Sequence, residues 1–305
     1  MAKQGKIRTL LEYGAARSVL AIVGALPTRT AMRFGEMLGR AGYLLAGDLR
    51  RTADVNLTLA FPEKTPEERR AIARGCFESL GRELGLFSKF SNGAMKSVFP
   101  LIEEEGWEHF EAARDLNNGV ILFTGHLGAW ELTSYGFSLL GHRFTFLVRR
   151  IDNEKIEELV DRYRRSFGNK TLDKLSAARM MVKLLRGGES VGLLPDLNTL
   201  DDEAIFVDFF GVPAATNFLV AKIALRTRSP IVPVFAPWDR SRGKYLLQVL
   251  PPLSIEYTGN EDEDVRNLTA EFTKVIEAHI RRYPEQWLWV HKRWKTRPPG
   301  EPGIY

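Results

Sequence analysis

Cysteine is almost absent: Cys76 stands alone among 305 residues. That excludes a disulfide framework and any cysteine-based zinc site. Long hydrophobic runs are missing too, since no segment reaches the roughly 18–20 uninterrupted apolar residues of a transmembrane helix. The best candidate, Ser18 to Thr28, is preceded by Arg8, Glu12 and Arg17. Those charges, and the want of a clean small-x-small cleavage site, count against a signal peptide. Charge of one sign is not in great excess either. Lys plus Arg number 43 against 38 for Asp plus Glu, a net +5, so the placement of basic residues matters more than their sum.

Several chemical signatures are also lacking. There is no Gly-x-Ser-x-Gly nucleophile elbow, no phosphate loop ending in Gly-Lys-Ser/Thr, and no His-Glu-x-x-His zinc helix. The five histidines, at 109, 126, 142, 279 and 291, show no metal-ligand spacing. With no serine or cysteine nucleophile on view, a covalent intermediate is not expected.

What is present is ordinary globular material, 44% apolar and 27% charged, enough for one or two domains and a core without staples. Residues 7 to about 95 read as helical. Thr65-Pro66-Glu67-Glu68 is a helix start, with Thr65 as N-cap, Pro66 in the first turn and Glu68 closing a capping box. The helix it opens carries Ile72, Phe77 and Leu80 inward, and Cys76 reads as a core thiol. From about residue 117, short apolar runs alternate with amphipathic helices. Strands are expected at 120–123, 144–148, 191–194 and 231–235, and helices at 127–139, 153–167, 176–186 and 216–226. That alternation predicts an α/β fold, a central mostly parallel sheet flanked by helices. The division expected is 1–95, a helical membrane-associating region, and 96–305, an α/β core. The first of these opens with either an interfacial helix or a short buried one.

Ligands in open α/β sheets bind beyond the carboxyl ends of the strands. The run at 120–123 exits into Thr124-Gly125-His126, the run at 144–148 into Arg149-Arg150, and the run at 191–194 into Pro195-Asp196. A histidine, a carboxylate and arginines thus converge on one edge if these strands are parallel neighbours. His126 precedes Glu131 by five residues, a spacing that separates side chains by roughly 140° within one regular helix. The two meet only if His126 sits on the strand-to-helix turn and Glu131 on the helix behind. A carboxylate there would orient the imidazole while its other nitrogen acts as general base. A histidine that merely caps a buried turn is the alternative.

Two further segments stand out. Phe206 to Pro213 is a dense aromatic stretch, read either as core or as the wall of an apolar channel lined by Phe206 and Phe209. Pro284 to Pro298 is basic with interleaved tryptophans. It suits nucleic-acid stacking, a membrane interface belt on anionic lipid, or a terminal segment packed on the domain.

With these residues in hand, the chain from about 7 to 300 resembles the bacterial late acyltransferases of lipid A biosynthesis, a lauroyl/myristoyl type that also includes the phosphatidylinositol mannoside acyltransferases. The strongest signatures are His-x4-Glu at 126–131, the block from Phe206 to Thr216, and Pro284 to Pro298. The resemblance implies transfer of a fatty acyl group from a thioester, on acyl carrier protein or coenzyme A, to a hydroxyl of a membrane glycolipid. It implies His126 as base and Glu131 as its partner; Asp196, at the end of another strand, is the reserve carboxylate, for the same imidazole or for the acceptor. Arg149, Arg164 and Asn169 carry over as ligand or active-site contacts; the mechanism expected here adds backbone N–H groups near 125–129 as an oxyanion site. Where many members read Asp-Gln, this chain has Asp196-Leu197-Asn198. No metal or redox cofactor is expected, the thioester being a co-substrate. Partners are the acyl carrier, the glycolipid and an anionic membrane surface rather than nucleic acid. The setting implied is the cytoplasmic face of the bacterial inner membrane, with peripheral or monotopic attachment. A thioester hydrolase and a non-catalytic binding module are the rival readings.

Overall fold

The computed structural model describes residues 6–90, 94–148, 150–173, 177–200 and 204–305. Four helices lead: α1 (Lys6–Ala25), α2 (Thr28–Leu45), α3 (Gly47–Ala60) and α4 (Pro66–Phe87). The α4 start is the capping box expected, with Thr65 Oγ1 accepting from the Glu68 N–H and Glu68 Oε2 accepting from the Thr65 N–H. α2 and α4 pack backbone to backbone. A Cβ on Gly35 would lie 2.0 Å from the Gly81 carbonyl oxygen, and one on Gly85 2.4 Å from that of Ala31. Only glycine permits so close an approach. Among the described residues no helix is long and apolar enough to cross a membrane.

The rest alternates. In order come β1 (Ile102–Glu105), α5 (Trp107–Asp115), β2 (Val120–Phe123), α6 (Trp130–Leu139), β3 (Thr145–Val148), α7 (Glu154–Arg165) and β4 (Lys170–Asp173). There follow α8 (Ala177–Arg186), β5 (Ser190–Leu193), β6 (Ala204–Phe209), β7 (Val212–Asn217), α9 (Leu219–Thr227), β8 (Ile231–Phe235), β9 (Trp238–Asp239), β10 (Lys244–Val249) and α10 (Glu261–Arg282). The sheet order is β1-β10-β8-β2-β5-β3-β4. From β8 to β4 all neighbours are parallel, whereas β10 is antiparallel to β8 and carries β1 with it. The mostly parallel α/β sheet expected from the alternation is therefore present. One core cluster holds α8, α9, α10 and the C-terminal tryptophans, and another holds Phe110, Phe137, Phe144 and Phe146. The N-terminal helices share in this core: Leu57 and Cys76 lie in the first cluster, while Met32 and Leu86 pack with Leu132 and Tyr135.

Two expectations need correction. Phe206 to Pro213 is a β-hairpin, β6 paired with β7, and the helix expected from Thr216 begins at Leu219. The hairpin's inner face is core: Phe209 packs edge-on against Trp287 at 5.6 Å between ring centroids. The basic aromatic tail is no interface belt, because Trp287, Trp289, Trp294 and Arg293 are each 0% exposed. Burying one tryptophan removes about 150–250 Å² from water, worth on the order of 4–6 kcal/mol before ordering entropy. Attraction to anionic lipid is about 1 kcal/mol per basic residue. Packing wins, and Lys292 and Lys295 alone of the basic residues from 292 to 295 face solvent. Residues 284–297 thus form a strap across the sheet's carboxyl edge. Asn56 Nδ2 ties it down by donating to the carbonyls of Trp289 and His291, both at 2.7 Å. Cys76 is a core thiol, its Sγ donating to the Trp287 carbonyl at 3.1 Å, and burial pushes it up to about 12.

Candidate active site

β2 and β5 are adjacent, parallel and in register, Phe123 opposite Leu193. Their exits therefore run side by side, and residues three positions beyond each strand face one another: His126 and Asp196. Asp196 Oδ1 accepts from His126 Nδ1 at 2.8 Å, and Oδ2 accepts from the His126 backbone N–H at 2.7 Å. A third donor, Trp287 Nε1, reaches Oδ2 at 2.8 Å. The Asp196 side chain is 0% exposed and the His126 side chain 20%. Burial alone would raise the Asp196 carboxyl. The neighbouring His126 and the hydrogen bonds from His126 and Trp287 outweigh burial, and hold it below the usual carboxylate range. An anionic Asp196 assigns the proton to Nδ1, which leaves Nε2 with a lone pair.

The turn carrying His126 is held rigidly. Gly128 sits at φ +58, and a Cβ there would lie 2.5 Å from the Ala236 carbonyl oxygen. That left-handed residue delays α6 to Trp130, three residues later than the periodicity predicts. On one side Gly128 N–H donates to the Gln286 carbonyl and Leu288 N–H to the His126 carbonyl; on the other Ala129 N–H donates to the Ala236 carbonyl. The N–H of Leu127 turns back to the Gly125 carbonyl. The amides at 126–129 are thus all engaged within the protein, which corrects the oxyanion expectation for those four of the five at 125–129.

Glu131 does not orient the imidazole. It lies on the first turn of α6 and accepts three hydrogen bonds from Arg164 of α7, at 2.5 to 3.1 Å. The partner of the His126 ring is Asp196, since neighbouring strand exits bring two loops closer than five residues around a turn bring one. The Glu131–Arg164 pair is largely buried, at 19% and 17% exposed. Burial lowers the arginine, but the Glu131 charge and hydrogen bonds raise it above its ordinary value.

A cavity of about 320 Å³ opens at His126, near the lower bound for small-molecule sites. Polar groups gather around it (Glu131, Arg164, Asn198, His291), and Leu122, Phe137, Phe144, Phe146 and Val234 supply apolar walls. Gly192 makes room: a Cβ there would meet the Phe144 ring at 2.6 Å. Neither Phe206 nor Phe209 lines this cavity, which corrects the channel expectation. Phe209 is spent in the core, while the cavity opens beside α6 and β3. Asn169 is corrected too. It is 3% exposed and bridges α6 to the β3 edge, accepting from Ser138 Oγ and the Phe144 N–H and donating to the Ser134 carbonyl. Arg149 lies outside the described residues, and exposed Arg150 pairs with Asp173. The displaced amide of Asn198 has a use of its own, joining Thr296 of the strap by Nδ2 and Oδ1. Trp287 was absent from the sequence-based candidates, because a tryptophan among basic residues carries no local sign that its indole faces a carboxylate 91 residues away.

A histidine paired with a buried aspartate thus stands at the carboxyl edge of an α/β sheet, at the mouth of a cavity with polar groups and apolar walls. Residues 3–296 match the model of the bacterial lipid A biosynthesis acyltransferases, and the chain belongs to that family. It is an enzyme of the acyltransferase type. Among its relatives, the lipid A biosynthesis lauroyltransferase of Escherichia coli (strain K12) is 31% identical over 289 residues, covering 94% of this chain and 92% of that protein. The myristoyltransferase of the same strain is 26% identical over 291 residues, covering 95% and 89%. Its palmitoleoyltransferase is 28% identical over 277 residues, covering 87% and 86%.

Proposed function

We propose that this chain moves a fatty acyl group from an acyl thioester, on acyl carrier protein or coenzyme A, to a hydroxyl of a lipid A precursor. The observation that carries the reading is the His126–Asp196 pair at the mouth of an apolar-walled cavity. In the reaction, His126 Nε2 takes the acceptor hydroxyl proton as its oxygen attacks the thioester carbonyl. Developing negative charge is met by the N-terminal end of α6 and by the Arg164 guanidinium. Collapse breaks the C–S bond, the thiolate recovers the proton from the imidazolium, and ester and thiol leave. Exposed Ile7, Leu10, Leu11 and Ile22 on α1 support peripheral attachment to a membrane surface, which for a lipid A precursor as acceptor is placed at the cytoplasmic face of the inner membrane.

His126→Ala tests the reading. General-base catalysis contributes about 10²–10⁴-fold, so single-turnover transfer to a glycolipid acceptor falls by that range while thioester binding persists. Mass spectrometry of the product reads acceptor and chain length together. A folded His126→Ala protein working at the wild-type rate ends the proposal.

A further inference from the structure

Asp196 is held from behind. Trp287 occupies one lone pair of Oδ2, and its ring packs on Phe209 at 5.6 Å between centroids. On Phe209 also lies the Arg293 guanidinium, 5.0 Å from the ring centroid. Arg293 is 0% exposed and is fixed by donating to the Ala215 carbonyl at 2.7 Å and to Thr216 Oγ1 at 2.6 Å. Among the described residues, no carboxylate within 4 Å neutralises it. A buried cation without an adjacent anion is costly.

We propose that Trp287 and Arg293 are positioning residues of the acyl-transfer site: the indole N–H fixes the Asp196 carboxylate beneath His126, and the buried guanidinium, behind the Phe209 ring on which that indole packs, adds positive field that draws on its charge. The proposal rests on His126–Asp196 being the proton-transfer pair. Burial lowers Arg293 to about 10, opposed by attraction to Asp196 and Tyr305. The groups touching Asp196 are His126 from the β2 exit and Trp287 from the strap, with apolar Ile276 of α10 against Gly125 beside it and Arg293 one ring further back on Phe209; across the cavity from His126 stand Glu131 of α6, Arg164 of α7 and His291 of the strap.

The sign of the effect follows. A carboxylate relieved of part of its charge holds the imidazolium proton less tightly. Without the indole N–H or the guanidinium, the coupled pair keeps that proton to higher pH. The acid limb of activity then moves upward, whereas Asp196→Asn, which removes the charge altogether, moves it downward.

The experiment is a pH–rate profile of purified full-length protein for wild type, Trp287→Phe, Arg293→Met, Arg293→Lys and Asp196→Asn. His126 ring titration by NMR runs in parallel, needs no turnover, and separates failure of this proposal from failure of the acyl-transfer reading. Trp287→Phe keeps an aromatic ring and removes the N–H. Its plateau kcat is expected to fall about tenfold with KM for the acyl thioester unchanged, and both acid limb and ring titration move up. Arg293→Met shifts them the same way, and Arg293→Lys restores them. An unshifted His126 titration in folded Trp287→Phe overturns the role of the indole. Arg293→Lys titrating like Arg293→Met overturns the role of the charge. Should Arg293→Met not fold, Trp287→Phe and Arg293→Lys still decide, since wild-type titration in Trp287→Phe refutes the proposal alone.

Discussion

Glu131 and Asp196 are two carboxylates with separate duties, and their partners tell them apart. Asp196 serves the imidazole, whereas Glu131 holds Arg164 in place beside the cavity. Glu131→Gln leaves a largely buried guanidinium without its anion, at a cost of about 1–2 kcal/mol given the residual exposure of the pair. Chemical denaturation of Glu131→Gln, Arg164→Met and the double variant measures it. The double variant is expected to be less destabilised than the sum of the singles, because each single change already breaks the same pair. Independent, additive losses would mean that the two do not act together. At this scale the sequence was half legible. His126 stood out at the end of an apolar run, but the five-residue spacing pointed to Glu131, because spacing reports neighbours along the chain and the imidazole is held across the sheet.

Elements with strong local signals were readable: the Thr65 capping box and the apolar strands at β2, β5 and β8. Those stabilised across the chain were not. β4 and β10 are defined by neighbours that sequence does not reveal, and the β6–β7 hairpin read only as an aromatic stretch because its aromatics masked the alternation. The α2–α4 contact is of the same kind, since Gly35, Gly39, Gly81 and Gly85 acquire meaning only when two helices meet at them. Adding a methyl at Gly35 sets it 2.0 Å from a carbonyl oxygen, so the helices must part. Overpacking of this sort costs about 1–3 kcal/mol or more. Gly35→Ala is expected to lose that in urea unfolding, although alanine favours the helix itself by about 1 kcal/mol. A stabilised Gly35→Ala would show that the α2–α4 contact yields readily.

At the scale of the whole molecule, the apolar surface is uneven. Ile7, Leu10, Leu11 and Ile22 on α1, and Leu44 and Leu45 at the end of α2, stand exposed, while the tryptophan-rich strap that read as an interface belt is interior. Membrane affinity is therefore expected to reside in the N-terminal helices. Leu10→Glu with Leu11→Glu should reduce flotation with anionic vesicles about tenfold or more, since each residue gives up burial worth about 1.5–3 kcal/mol. Lys292→Gln with Lys295→Gln should change it little. Equal flotation of wild type and the α1 variant would remove α1 from the contact.

The strap also sets a timetable. Trp287 is made 91 residues after the aspartate it supports, and Trp289 comes 233 residues after the asparagine that holds it. Ribosomes add roughly 5–20 residues per second, so about 5–20 s separate translation of Asp196 from that of its indole donor. When that interval opens β2 and β5 have been made; β8 follows at Ile231–Phe235, and to its end the turn lacks the Gln286 and Leu288 backbone that closes it. Synthesis halted short of residue 284 therefore leaves the His126 turn without the strap backbone that closes it and Asp196 without its indole donor.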